Sequence, residues 1–580
     1  MKTNNPTTET KYNPVPFRSW NGYLLVFYTI FALLFFAYGC ENAATNTAME
    51  HTNEKGENDM GTIAQSAPFL NSDGKGGGTI VSNGKKYAVW GVETDLWRSV
   101  AGDLDMVDRY IEASLYINAN AIAVHIPWRI VEPKKDVYDF HFLEECIGRA
   151  EKAELKVVLY FGCSNYAAGD PVFVPDYIKN DEKTYTQVKG RGFRDEPVAG
   201  HTALALCPGN PATLERERKA YCELMAYLRD CDMNRSVLAV HYGGEMNFIQ
   251  SAKEGFIGWN NPELRCECEH CDAAYGGGGK LAFTTKQFAD YIASVVDAGA
   301  AIYPVPVYAA VAPRSWWGGN WRGAENGEVR KKTVKFEGFF AVPSIAETKS
   351  SDTFRKEIKY YLPDKIPGNI VFASGIDTGH GTPGSPQEQS SVISWPHLEI
   401  APWINIFEYK SLGAIYWDHP AVTVSDSASG GLVREKFRAF WSPLKAAGGK
   451  LVEIRDMPDG QMIWWTYEDT QKAGDIAGCA VSVEQEEGAN YGYAFADGES
   501  LVLSASVYEG KATTITLTRA GGFSGCAFGR GAYDGEGNWV EWMAKEGFAP
   551  EISGDSIVVI FEGDNGDASR AMVRIEKEKE

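Results

Sequence analysis

Between about residue 80 and residue 448, short apolar runs alternate with stretches of helical spacing. Tyr87–Val92 reads as a first strand and Asp105–Ile117 as the helix after it. Ala121–Ile126 (AIAVHI) is a second strand, Phe142–Ala153 a helix and Lys156–Phe161 (KVVLYF) a third strand. Pro211–Arg229 is a long helix, Val237–Tyr242 the fourth strand, and Lys286–Ala298 a helix. Pro304–Ala310, Phe336–Val342, Asn369–Ala373 and Ala414–Trp417 supply strands five to eight, with Thr353–Tyr361, Trp395–Phe407 and Val433–Ala446 as the later helices. Strands alternating with helices in this number predict an α/β fold, a (β/α)8 TIM barrel. No GxGxxG or Walker motif is present, which disfavours a nucleotide-binding sheet. From about 449 the pattern changes to short alternating runs such as MIWWTY, SLVLSASVY, TTITLTR and SIVVIF between Gly/Asp-rich turns. They predict a C-terminal β-sandwich over 449–580, most simply a support for the barrel.

The N-terminus has a different character. Lys2, Lys11 and Arg18 precede the apolar run Tyr23–Phe36, which ends in Ala37-Tyr38-Gly39-Cys40. A basic start, an apolar core and small residues at the end describe an export signal over 1–40. Gly39-Cys40 is similar to a bacterial lipoprotein cleavage site, after which Cys40 carries lipid, although Ala37 stands where Leu is usual and Tyr38 is bulky. An uncleaved anchor and a plain cleaved signal are the alternatives, and each places the mature chain outside the cytoplasm. Residues 41–79 are rich in Asn, Thr, Gly and Glu and read as a flexible tether. The barrel then occupies 80–448. Of the 580 residues, 44% are hydrophobic and 12% aromatic, so most of the chain is globular. A formal net charge of −21 argues against nucleic acid as a partner. Membrane contact is expected only through the N-terminal lipid or anchor.

Candidate chemistry concentrates in Val237–Cys271. The strand VLAVHY is followed by two glycines and Glu245, the position where barrel enzymes place a catalytic acid. The bland reading of Glu245 is a surface or capping residue. The run RCECEHC brings Cys266, Cys268 and Cys271 close together, a spacing that suits a metal-pinned loop, with disulfides or free thiols as the alternatives.

These pieces resemble glycoside hydrolase family 42, the β-galactosidase-type barrels of clan A, with similarity to family 35. The run ANAIAVHIPWRIVEPKKDVYDFHFLEECIGRAEKAELKVVLYF carries most of the likeness. VPDYIKND, CPGNPA, VLAVHYGGE and RCECEHC add to it, and it weakens after residue 310. The resemblance implies a glycosidase acting on a β-linked oligo- or polysaccharide, with a galactoside as one candidate. It makes Glu245 the general acid/base and Cys207, Cys266, Cys268 and Cys271 the ligands of a structural Zn2+, with no catalytic cofactor. Family members are often trimers, which leaves a homo-oligomer open.

Two positions depart from the family. Gly244 replaces the Asn expected before the acid/base, and Ser374 stands where the nucleophilic Glu is expected on strand seven. Asp377 is the nearest carboxylate and reaches the pocket if Gly375 allows a bulge. Its rivals are Glu93, Asp95, Glu347 and Asp418. Trp128, Tyr308, Trp316, Trp321 and Trp417 follow strands and are candidate sugar platforms, although any single Trp is more often core packing. Arg129, Arg314 and Arg322 could bind acidic sugars, with surface ion pairs as the default. His125, His241, His380 and His419 fall near strand ends, where they suit pocket hydrogen bonding. The rival functional reading is a catalytically inactive barrel that binds glycan for a surface polysaccharide-utilisation system, favoured by the two departures.

Overall fold

A computed structural model describes residues 66–94, 102–162, 173–189, 206–243, 265–308, 310–311, 339–341, 371–377, 403–417, 422–426 and 428–466. In the C-terminal part it describes 475–485, 491–506, 512–541, 550–562 and 572–577, and it also describes four positions between 352 and 359. The barrel strands are β1 (Val89–Glu93), β2 (Ala121–Pro127), β3 (Lys156–Gly162) and β4 (Val237–Tyr242). They continue with β5 (Val307–Tyr308 and Ala310–Val311), β6 (Phe339–Ala341), β7 (Val371–Asp377) and β8 (Gly413–Trp417).

All neighbouring pairs are parallel, in the order β5-β4-β3-β2-β1-β8-β7-β6-β5. Val307–Tyr308 pairs with β4, and Ala310–Val311, one residue on, pairs with β6. The fifth strand therefore belongs to both edges and the sheet closes into a (β/α)8 barrel. Every residue of β2 and β4 is buried, as a parallel sheet with side chains inside and helices outside requires. Each fully buried Val, Leu or Ile contributes about 1.5–3 kcal/mol.

Helix α1 (Leu104–Tyr116) starts at Asp103, whose carboxylate accepts from the Asp105 and Met106 N–H groups. Helix α2 is His141–Lys152. Helix α3 (Pro211–Cys231) combines an Asn210 cap, accepting from Ala212 and Thr213, with proline at its first turn. Helix α4 spans Lys280–Ile302 and starts six residues before the sequence expectation, directly after the glycine run 276–279. Gly413 opens β8 at φ +132°, and a Cβ there would lie 1.7 Å from the Val89 carbonyl oxygen. Only glycine allows this approach.

The tether expected over 41–79 needs correction at its end. Phe69–Ser72, Gly78–Ser82 and Lys85–Tyr87 form a three-stranded antiparallel sheet, because the Asp73–Gly77 stretch makes a turn in which Asp73 accepts from Lys75 and Gly77. The export segment, Tyr23–Phe36 and Cys40, lies outside the described residues. Among the described residues no helix is long and apolar enough to cross a membrane.

Ala64–Glu580 is one unit, and in it the barrel passes through helix α5 (Ala428–Ala447) into two antiparallel sheets. Ile463, Trp465, Leu503, Ile515, Ile557 and Val559 fill the space between these sheets. Ser500–Ser506 is buried along its whole length. Its Leu501 and Leu503 face the sheet–sheet core, and its Val502 joins the barrel core. Trp403 and Phe440 contact Tyr491, and the Tyr493 hydroxyl donates to the Pro443 carbonyl at 2.6 Å. The C-terminal sheets are thereby fastened to the outer helices of the barrel.

Candidate active site and metal centre

A layer of polar and aromatic side chains crosses the barrel at the C-terminal ends of β1 to β5. Glu93 Oε1 lies 2.6 Å from His125 Nε2, with both side chains buried. A carboxylate only accepts, so Nε2 carries the proton. Burial drives the His125 pKa down to about 3, which keeps the ring neutral. His125 meets Tyr160 edge-on, and Tyr160 meets His241 the same way, with centroids 4.8 and 4.1 Å apart. His241 stacks on Tyr308 at 4.4 Å, and the Tyr308 hydroxyl donates to that of Tyr160 at 3.4 Å. Burial also pushes the His241 pKa well down, aided by nearby His125. Barrel interiors are dominated by branched aliphatic residues, so five such groups in one layer single out this end of the barrel as the candidate site.

On the opposite side, β7 and β8 keep regular pairing until a register shift between Ser374 and Ile376. Ser374 pairs with Ile415, and beyond the extra residue Gly375 the pairs are Ile376 with Tyr416 and Asp377 with Trp417. Trp417 in turn pairs with Glu93. The bulge puts Asp377 at the register position in line with Trp417 and Glu93, the last rung shared by β7, β8 and β1.

The end of β4 is fixed from outside. The buried Glu217 carboxylate of α3 accepts from the hydroxyls of Tyr242 on β4 and Tyr291 on α4. Three residues beyond Tyr242 comes Glu245, which lies outside the described residues, as do Trp316, Trp321, Asp95, Glu347 and Asp418.

The chain returns at Arg265 into the cysteine cluster. The sulfurs of Cys207, Cys266, Cys268 and Cys271, all buried, lie within 4.8 Å of one another. Cys207 is 3.5 Å from Cys268 and 3.3 Å from Cys271. A tetrahedral zinc with Zn–S of about 2.3 Å sets sulfurs about 3.8 Å apart, so the four residues fit that ion and leave no open position. The N–H groups of Lys189 and Gly209 donate to Cys266 and Cys207 at 3.4 and 3.3 Å. Hydrogen bonding with Cys207 pulls the Cys266 and Cys268 thiols down, whereas Cys207 is pushed up, chiefly by its bond to Cys266. Gly209 lets the chain pack closely here, since a Cβ there would lie 2.9 Å from Cys271 Sγ and 2.4 Å from Gln287 Nε2. The cluster ties the chain after β3 to the chain after β4, at the far end of the segment that carries Glu245.

One expected platform is corrected. Trp128 is fully buried, and its indole N–H donates to Glu132 Oε2 at 3.0 Å. Glu132 also accepts from the Asp136 N–H and pairs with Arg216 of α3. The Trp-x-x-x-Glu turn after β2 is thus a fastener between the β2 loop and α3, because an indole enclosed on both faces has no ring surface left for a sugar.

The model of glycoside hydrolase family 42, described as beta-galactosidase, matches residues 106–192, which run from α1 through β2, α2 and β3. This part of the barrel is similar to the family 42 glycoside hydrolases. Among solved structures, the chain is similar to the beta-galactosidase from Rahnella sp. R3, at 12% identity and a TM-score of 0.41, covering 64% of this chain and 60% of that one. The exo-beta-1,4-mannosidase Op5Man5 from Opitutaceae bacterium strain TAV5 gives 12% identity, a TM-score of 0.41, and coverage of 64% and 61%. Endo-glycoceramidase II from Rhodococcus sp. gives 14% identity, a TM-score of 0.38, and coverage of 89% and 100%. The chain thus spans about three fifths of the first of these. Comparison with curated protein sequences gives no match.

Proposed function

We propose that the chain is an exported glycosidase that cleaves β-linked glycans at the mouth of this barrel. Glu245 protonates the departing glycosidic oxygen, and Asp377 either attacks the anomeric carbon or activates water. In the first case a glycosyl ester forms, and water, deprotonated by Glu245, releases the sugar; in the second, water adds directly with inversion. The bulge at Gly375 carries the assignment of Asp377, since it brings that residue into line with Glu93 and Trp417. A zinc ion on the four cysteines holds the loop that returns from Glu245, with no part in bond cleavage. Export by the N-terminal segment, with lipid on Cys40, places the enzyme at the cell envelope. A β-galactoside is the first substrate to try.

A panel of nitrophenyl β-glycosides given to the wild type, Glu245→Gln and Asp377→Asn tests the roles. Loss of turnover in both variants is expected. Azide should restore Asp377→Asn as an inverted glycosyl azide if Asp377 is the nucleophile. Equal turnover in all three proteins would remove both assignments. An inactive, glycan-binding barrel is the second reading, supported by Ser374 and Gly244 at the departing positions.

A further inference from the structure

His241 is the least satisfied group in the polar layer. Its side chain is 3% exposed, and neither ring nitrogen has a hydrogen-bond partner among the described residues. Two buried polar atoms without partners are a standing cost to the fold and call for a specific explanation. Packing alone does not provide one. A phenyl ring would stack on Tyr308 and meet the edge of Tyr160 equally well, without any nitrogen to satisfy. The imidazole lies at the C-terminal end of the barrel, four residues before Glu245, where barrel enzymes seat their substrates. Kept neutral by burial, it has one donor and one acceptor, the complement of a hydroxyl group, which also donates and accepts.

The surrounding charge narrows the ligand. The Glu93 carboxylate lies in the same layer, held by His125. Lys156, at the opposite end of β3, is the only Lys or Arg within the eight barrel strands, so no cation from those strands faces an anionic ligand at the mouth. A uronate or sulfated ring would meet the negative charge of Glu93 with no strand cation to offset it.

We propose that His241 hydrogen-bonds a hydroxyl of the sugar ring seated on this layer, and that Glu93 with His125 restricts the ring to an uncharged sugar. The inference rests on the glycosidase reading only for the presence of a sugar in the pocket. His241 would be a specificity residue, distinct from the carboxylates that break the bond.

The test uses the full chain and the variant His241→Phe, which keeps a flat ring and removes both nitrogens. Methyl β-D-galactoside, β-D-glucoside and β-D-mannoside are titrated calorimetrically against methyl β-D-glucuronide. The wild type is expected to bind at least one neutral glycoside about tenfold or more tightly than the glucuronide. His241→Phe should be at least as resistant to heat as the wild type, since replacing an unsatisfied polar group by an apolar one of similar shape is neutral or stabilising. It should nevertheless bind that glycoside about tenfold more weakly. Unchanged affinity in His241→Phe, binding of the glucuronide as tight as the neutral sugars, or no binding of any neutral glycoside would overturn the proposal. Should His241→Phe fail to fold, His241→Gln, which keeps a donor and an acceptor, carries the test: it must retain binding of the neutral glycoside, and loss there overturns the proposal. Binding without turnover would uphold this inference while removing the hydrolytic one. Turnover with KM unchanged in His241→Phe would do the reverse.

Discussion

The buried Glu93–His125 pair makes the barrel sensitive to acid in a calculable way. Burial holds the His125 ring neutral in the fold, with its pKa lowered to about 3 from an ordinary value of 6.5. Between these values the unfolded chain binds a proton that the folded chain refuses, so stability falls as pH drops below 6.5. Integrating from pH 7 to pH 5, this one residue removes about 2 kcal/mol. Spread over a unit of about 500 residues, with an unfolding entropy of about 2 cal/mol/K per residue, that is a fall in Tm of about 2 °C. The perturbation is His125→Gln, whose amide still donates to Glu93 but does not titrate. Urea unfolding followed by tryptophan fluorescence at pH 7, 6 and 5 should show the wild type losing about 2 kcal/mol more than the variant. Other acid-sensitive groups act on both proteins and cancel in the difference. Parallel stability curves, or a wild type that gains on the variant as pH falls, would refute the argument that His125 is buried and neutral.

Two further outcomes concern the scaffold. Cys268→Ser should lower bound zinc from about one ion per chain to well under half, read by elemental analysis of the purified protein, and should lower Tm; a fully folded wild type without zinc would contradict the centre. Arg216→Met leaves the Glu132 carboxylate buried beside Trp128 without its cation and should cost about 3–5 kcal/mol in chemical denaturation, with most of it regained in the Glu132→Gln, Arg216→Met double variant.

Much of the barrel was legible because long strands and capped helices signal themselves. AIAVHI, KVVLYF and VLAVHY formed strands within a residue of their expected limits, and the helices expected over Asp105–Ile117 and Pro211–Arg229 formed as Leu104–Tyr116 and Pro211–Cys231. The orientation of side chains was not legible. In a parallel barrel both faces of a strand are buried, so nothing in KVVLYF announces that Tyr160 joins the polar layer. Trp128 illustrates the same limit, since an indole after a strand suits a sugar platform and a buried fastener equally, and only the bond to Glu132 decides. The first hairpin was hidden in composition, because a Gly-rich turn within a polar stretch is similar to a tether until its strands pair. The bulge at Gly375 could be read as an option from the glycine, whereas its place in the register had to come from the β7–β8 pairing.

The role of Glu245 is best tested by how its loss depends on the leaving group. On a glycoside that the wild type hydrolyses, Glu245→Ala should lose about 10²–10⁴-fold in kcat/KM when the leaving group is a sugar or alkyl alcohol, which needs a proton to depart. With a 2,4-dinitrophenyl leaving group, which departs without one, the bond-breaking step should lose far less. An equal loss on both substrates, or none on either, would contradict the assignment of Glu245 as the acid.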